Sequence, residues 1–177
     1  MRLIRLSASL LLSSLLLACS ATLRPTGTSQ DLSSLRAVIE SFRTSIITKD
    51  KPAFMALFFS DRPELVTWQA VVDDPSLRWI QRTRPQALKA RYRPDNNFVT
   101  FIDGIVASSS SAEERFSNIQ IDTDGEVASV SFDYVYLSDG RATNDGREKW
   151  LLVRTEQGWK ITSVVYTIRL PEARGGA

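Results

Sequence analysis

Val127-Ala128-Ser129-Val130-Ser131-Phe132-Asp133-Tyr134-Val135-Tyr136 alternates along its whole length. Ala128, Val130, Phe132, Tyr134 and Tyr136 fall on one side, while Ser129, Ser131 and Asp133 fall on the other with Val127 and Val135. A period of two is the pattern of a half-buried strand. Asp124-Gly125 precedes it and Gln157-Gly158 follows the next apolar run, and both pairs supply residues that tolerate φ > 0 in tight hairpins. Residues 116–168 therefore read as one antiparallel meander, with strands over 116–122, 126–137, 147–154 and 159–168. Between the middle two strands, residues 138–146 hold two Asp-Gly pairs, and the turn can lie at either.

The earlier segments must cover the apolar side of this meander. Asp31 is a good N-cap, and Leu32, Leu35, Val38, Phe42 and Ile46 recur at helical spacing behind it, which predicts a helix to about Thr48. Asp50 and Pro52 open a second helix with Phe54, Leu57 and Phe58 on its buried side, stopped by Asp61-Arg62-Pro63. Residues 64–72 suit a first strand, in which Leu65, Thr67, Gln69 and Val71 alternate with Val66, Trp68, Ala70 and Val72; the sequence leaves open which set faces inward. Residues 73–84 read as a loop with a short helix around 77–80. Asp73-Asp74 before Pro75 reads as turn and cap rather than a metal pair. A further helix is expected over 85–92, and another where Phe98, Phe101, Ile102 and Ile105 recur at i, i+3, i+4 and i+7, ended by the serines of 108–111. The tail, 171–177, is expected to be loose.

At 177 residues the chain has room for one domain with one core. Arg2 and Arg5 are the only charged side chains of the first 18 residues, so the remainder carries 20 basic and 20 acidic residues. A neutral domain without a Lys/Arg run offers no electrostatic footprint for phosphate backbones, which argues against nucleic acid as a partner. With no His and a single Cys, the usual zinc and haem sites cannot be assembled, nor can a Ser-His-Asp or Cys-His nucleophile. No metal or cofactor is expected.

Residues 1–18 pair a basic start with a Leu-rich run too short for the roughly 20 apolar residues of a spanning helix, as in a signal peptide. The run ends in Leu16-Leu17-Ala18-Cys19, which resembles the lipobox of bacterial lipoproteins, although Leu17 is a less usual occupant of its position. The resemblance implies cleavage before Cys19, acylation of its sulfur and amine, and a hold on a lipid membrane. Ordinary cleavage a few residues later is the alternative. Ser20, not being Asp, implies the outer membrane, with the domain facing the periplasm. Residues 19–30, rich in Ser and Thr, read as a tether, and 31–170 as the domain.

A long amphipathic helix, a second opened by Asp50-Lys51-Pro52, an early strand and a terminal meander ending in Gly158-Trp159-Lys160-Ile161 together resemble the NTF2-like (SnoaL/DUF4440-type) superfamily. Gly125-Glu126-Val127-Ala128-Ser129-Val130, Phe132-Asp133-Tyr134 and residues 146–150 are the other specific pieces. The resemblance implies an α+β fold in which a curved antiparallel sheet wraps around N-terminal helices and leaves a conical cavity. Such domains include isomerase-like and dehydratase-like enzymes as well as binding and dimerisation modules, so the fold does not fix the function. This chain lacks the His of the dehydratases, and an isomerase-like Tyr/Asp/Asp set does not align onto it.

If Phe132, Tyr134 and Tyr136 face the helices, the matching set on the next strand is Glu148, Trp150 and Leu152, because Arg147 and Lys149 belong in water. Glu148 beside Tyr134 is then the weak candidate for acid/base work through a raised pKa. A solvated or arginine-paired rim carboxylate is the plainer reading. Tyr134, Tyr136, Trp150, Trp68 and Tyr166 could stack on a small apolar or aromatic ligand, or simply fill the core. Three function classes follow. The first is a lipid-anchored binding or accessory module, with an apolar cavity free of convergent ionised groups. The second is an interaction domain, a homodimer formed through the outer face at Ser129, Ser131, Asp133 and Lys149. The third is an isomerase, dehydratase or small-molecule hydrolase, requiring a buried carboxylate hydrogen-bonded to a Tyr.

Overall fold

The computed structural model describes residues 27–174. Four helices, α1 (Ser29–Thr48), α2 (Lys51–Met55), α3 (Asp74–Gln81) and α4 (Phe98–Ala107), accompany five strands. The strands are β1 (Thr67–Val72), β2 (Ala112–Thr123), β3 (Val127–Ser138), β4 (Arg141–Thr155) and β5 (Gly158–Ile168). They form one sheet in the order β1-β5-β4-β3-β2. β2 to β5 make the expected antiparallel meander, whereas β1 adds to β5 in parallel, Trp68 opposite Val164 and Ala70 opposite Tyr166. This is the expected α+β architecture, a curved sheet wrapped around helices.

Irregularities bend the sheet. The register slips between Ser117 and Gln120 on β2, where Asn118 takes φ 53, and again at Tyr136/Leu137 and Leu151/Leu152. Each such bulge adds local twist and re-aims the strand. The ambiguous turn lies at Asp139-Gly140, with φ values of 48 and 74. Asp145-Gly146 instead lies inside β4, where the missing side chain lets Thr167 approach: a Cβ at Gly146 would stand 1.9 Å from the Thr167 carbonyl oxygen. β2 and β4 consequently both begin earlier than their apolar residues indicate.

The helical cover departs from expectation in several places. α1 is capped by Thr28 rather than Asp31. Asp31 is the third helical residue of a reciprocal capping box, its carboxylate accepting from Thr28 N at 2.8 Å and its own N–H donating to Thr28 Oγ1 at 3.1 Å. The buried stripe of α1 is Leu35, Ile39, Phe42 and Ile46; Leu32, in the first turn, is exposed. Asp50 does cap α2 through Ala53 N, but α2 lasts five residues. Beyond it, residues 57–59 run alongside β5, exchanging Phe59 N to Ile161 O at 3.0 Å and Ile161 N to Leu57 O at 2.9 Å. Asp73 caps α3 through Ser76 N, as its turn chemistry predicts, and α3 extends over the whole of 74–81.

No helix forms over 85–92. Of its apolar and aromatic side chains, Pro85, Leu88, Ala90 and Tyr92 are exposed and Ala87 is half-buried, so no buried stripe holds a helix there. The segment lies extended along β1, where the Lys89 carbonyl accepts from Val72 N at 2.8 Å. α4 forms as expected behind an Asn97 cap. The tail is docked as far as it is described: residues 171–173 form a 3-10 turn, Leu170 N donates to Ser76 Oγ at 2.8 Å, and Arg174 pairs with Asp145. Cys19 and the rest of residues 1–26 lie outside the described residues, as do 175–177.

The core sits where α1, α2 and α4 meet the concave face. Trp150 is fully buried, edge-on to Phe132 at 4.9 Å between centroids and tilted on Phe42 at 4.7 Å. Ala128, Val130, Leu152, Trp159 and Ile161 complete it, the Trp159 indole donating to Ser34 Oγ at 3.0 Å. The other face carries Ser129, Lys149 and the Arg147–Asp133 ion pair, so the inward and outward sets are those the alternation gives.

Candidate functional site

Beyond Phe132 the same inward face of β3 continues into Tyr134 and Tyr136, and there the helices stop filling the concavity. Residues opposite each other on neighbouring strands must share a face. Tyr136 faces Glu114 on β2 and Asn144 on β4; Phe132 faces Glu148 on β4; Glu148 in turn faces Tyr166 on β5. Two carboxyls thus flank one strand's aromatic row. Trp68 on β1 and Phe101 on α4 close the other side, Trp68 edge-on to Tyr166 at 5.7 Å and 5.3 Å from Phe101. The cavity between them, open on one side, measures about 260 Å³. Five aromatic rings, Ile168, Asn144, Glu114 and Glu148 line it.

Both acids are buried, Glu148 at 3% and Glu114 at 4% exposure, and neither forms an ion pair among the described residues. Trp150 Nε1 donates to Glu148 Oε2 at 2.7 Å. Among the described residues Glu114 Oε2 has no partner, and the buried indole N–H of Trp68 makes no well-aligned hydrogen bond, with the Tyr166 hydroxyl beside it. Burial pushes the Glu148 carboxyl up to about 7, against the partial pull of the Trp150 hydrogen bond. Burial, and then the charge of Glu148, hold Glu114 well above the usual carboxylate range. Two like groups in one dry site lose their protons as a pair. Burial and then the Glu148 charge also raise Tyr166, to about 12, and Tyr134 further still. Tyr136 is raised by burial and then by Glu114.

The Tyr134 hydroxyl lies 2.8 Å from Asn144 Oδ1 and 2.9 Å from the Thr167 carbonyl. One hydroxyl proton cannot serve two acceptors. Turning the Asn144 amide over lets its NH₂ donate to Tyr134 Oη while that hydroxyl donates to Thr167. Tyr134 is in this way tied to the backbone of β5, not to Glu148.

Of the side chains singled out from sequence, Tyr134, Tyr136, Glu148, Trp68 and Tyr166 meet at this cavity. Trp150 does not line it; one layer deeper, it packs in the core and holds Glu148 by its indole N–H. The plainer reading of Glu148 as a solvated or arginine-paired rim group is overturned by its burial. Glu114, in the part of β2 that lies before the expected start of the meander at 116, is a second buried acid at this wall. The signal for Glu114 was present: Ala112, Glu114 and Phe116 alternate, but a charged start hid the first turn of the strand.

The chain has the NTF2-like, cystatin-like fold. No protein-family model matches it, and no curated protein matches it in sequence. Among solved structures it is similar to an NTF2-like protein with a cystatin-like fold from Novosphingobium aromaticivorans, with TM-score 0.53 and 14% identity over 82% of this chain and 88% of that one. It is similar also to a candidate dehydratase of the NTF2-like family from Streptomyces avermitilis, with TM-score 0.54 and 13% identity over 80% of this chain and 97% of that one. A candidate scytalone dehydratase from Novosphingobium aromaticivorans matches with TM-score 0.54 and 14% identity over 80% and 85%. At these identities the likeness is one of fold.

Proposed function

We propose that the chain is a small-molecule binding module of NTF2-like fold, held in the cell envelope by acyl chains on Cys19. One observation carries the binding half of this reading: the aromatic cavity of about 260 Å³, whose wall holds two buried, ion-pair-free carboxyls in place of the lining free of convergent ionised groups that the sequence leads one to expect of such a module. A site intended only as core would fill with side chains, since buried carboxyls without counter-charges cost stability. The likeness in fold to candidate dehydratases supports a domain that takes a small molecule. The anchor rests on the leader and the Ala18-Cys19 pair.

A set of small apolar and aromatic fragments tests the binding half, followed through the indole N–H resonance of Trp68. At least one fragment is expected to shift it saturably, and a set that leaves it untouched contradicts the reading. For the anchor, Cys19→Ser should release the protein from the membrane fraction or block its processing. A mature N-terminus downstream of Cys19 contradicts it.

A second reading is acid/base catalysis, favoured by a Glu148 carboxyl held near 7, where a general base works best. The buried carboxylate hydrogen-bonded to a tyrosine that this reading expects is not formed among the described residues, since Trp150 takes that place.

A further inference from the structure

The cavity's lining is almost entirely electron-rich. From β2 comes Glu114, from β3 Tyr134 and Tyr136, from β4 Glu148 and Asn144, from β5 Tyr166, from β1 Trp68 and from α4 Phe101. No Lys or Arg is among them; Arg84, Lys89, Arg91 and Arg93 line an adjoining hollow that shares Tyr166 and Ile168 with the cavity. Asp145, the other acid close enough to act on Tyr134, is already paired with Arg169 and Arg174. Two groups in the lining are under-satisfied among the described residues: the acceptor Glu114 Oε2, which has no partner, and the donor Trp68 Nε1, which has only an imperfectly aligned Tyr166 hydroxyl beside it.

We propose that the cavity takes a small organic amine as its ammonium ion, seated on Glu114 and Glu148 between the faces of Trp68, Tyr136 and Tyr166, with an oxygen of the same molecule accepting from Trp68 Nε1. This rests on the binding-module reading and gives that site its ligand class, an amino alcohol or a close relative. Aromatic faces and carboxylates attract a desolvated cation together. A bare metal ion is a poor occupant, because hard cations need six or more oxygens and no group of three acidic side chains converges among the described residues. The volume of about 260 Å³ is below the ~300–1,000 Å³ of sites for drug-sized ligands, which sets the size. Empty, the pair keeps a proton at neutral pH; the arriving ammonium takes over its role, so that proton passes to the buffer on binding.

Calorimetric titration of the full chain with phenylethanolamine and with its neutral isostere styrene glycol tests this. Phenylethanolamine is expected to bind at least about tenfold more tightly, and Glu114→Gln to remove most of that preference. Repeating the titration in buffers of different ionisation heat should show a proton released by the wild-type protein at pH 7, a readout that needs no variant. Equal affinity for the two compounds, or binding of the amine without proton release, overturns the amine while leaving the binding-module reading intact. Binding of neither compound also overturns it; the binding-module reading then stands or falls with the fragment set.

Discussion

The concave face of one sheet holds two regions built from the same alternation. At one end Val130, Phe132, Trp150 and Leu152 pack under α1 and α2 with almost no exposure. At the other, Tyr134, Tyr136 and Glu148 occupy the next inward positions of the same strands and, with Glu114 of β2, line a cavity. The backbone does not change between them. The side chains gain hydroxyls and carboxyls, and the helices give out, because α2 stops after five residues and α4 reaches the second region only through Phe101. One pattern of twos thus specifies a core and a site in succession, separated by side-chain chemistry and by where the helices end.

The largest effect that sharpens this contrast is expected in the core. Trp150→Ala should cost about 3–5 kcal/mol, the range for a large buried aromatic, and should also release Glu148 from its indole donor. A melting temperature within a degree of wild type would mean that the two regions are not distinct.

The next effect belongs to the site. Glu148 has a folded pKa of about 7 against an ordinary value of 4.5, so between those values the folded state holds a proton that the unfolded state has lost. Its contribution is full below about 4.5 and is lost as pH rises through about 7, amounting to roughly 3 kcal/mol. Glu114, also raised, extends the decline upward in pH. Denaturation curves across that window should show stability falling for wild type and falling less for Glu148→Gln; a stability that rises with pH there contradicts the burial of the pair.

Where the two regions join, Gly146→Ala should destabilise by about 1–3 kcal/mol, since its Cβ would meet the Thr167 backbone and the Tyr134 ring. The smallest effect is expected at the half-buried Tyr136, whose hydroxyl donates to no group among the described residues. Tyr136→Phe should change stability by no more than about 0.5 kcal/mol, and a loss above about 1.5 would place Tyr136 in the core instead.

The meander and its faces were legible in the sequence because strand alternation is local: Phe132, Glu148 and Trp150 point where their period puts them. Glu114 was not legible, since a strand that opens Ala112-Glu113-Glu114-Arg115 reads as solvated until its partner Tyr136 is known to face inward. The parallel pairing of β1 depends on contacts a hundred residues away, and the extended course of 85–92 on a carbonyl that completes β1. Trp150 could be placed on the right face but not at the right depth, because depth follows from where the helices end.

The pair of carboxyls is the centre of this account, and its protonation can be read directly. Side-chain carboxyl ¹³C shifts of the glutamates, followed from about pH 3 to pH 9 with Glu114→Gln and Glu148→Gln for assignment, should show two that still carry protons at pH 6 and titrate as a coupled pair. If instead both titrate near 4.5 like the exposed glutamates, the cavity is wet, and neither the site nor its ligand class survives.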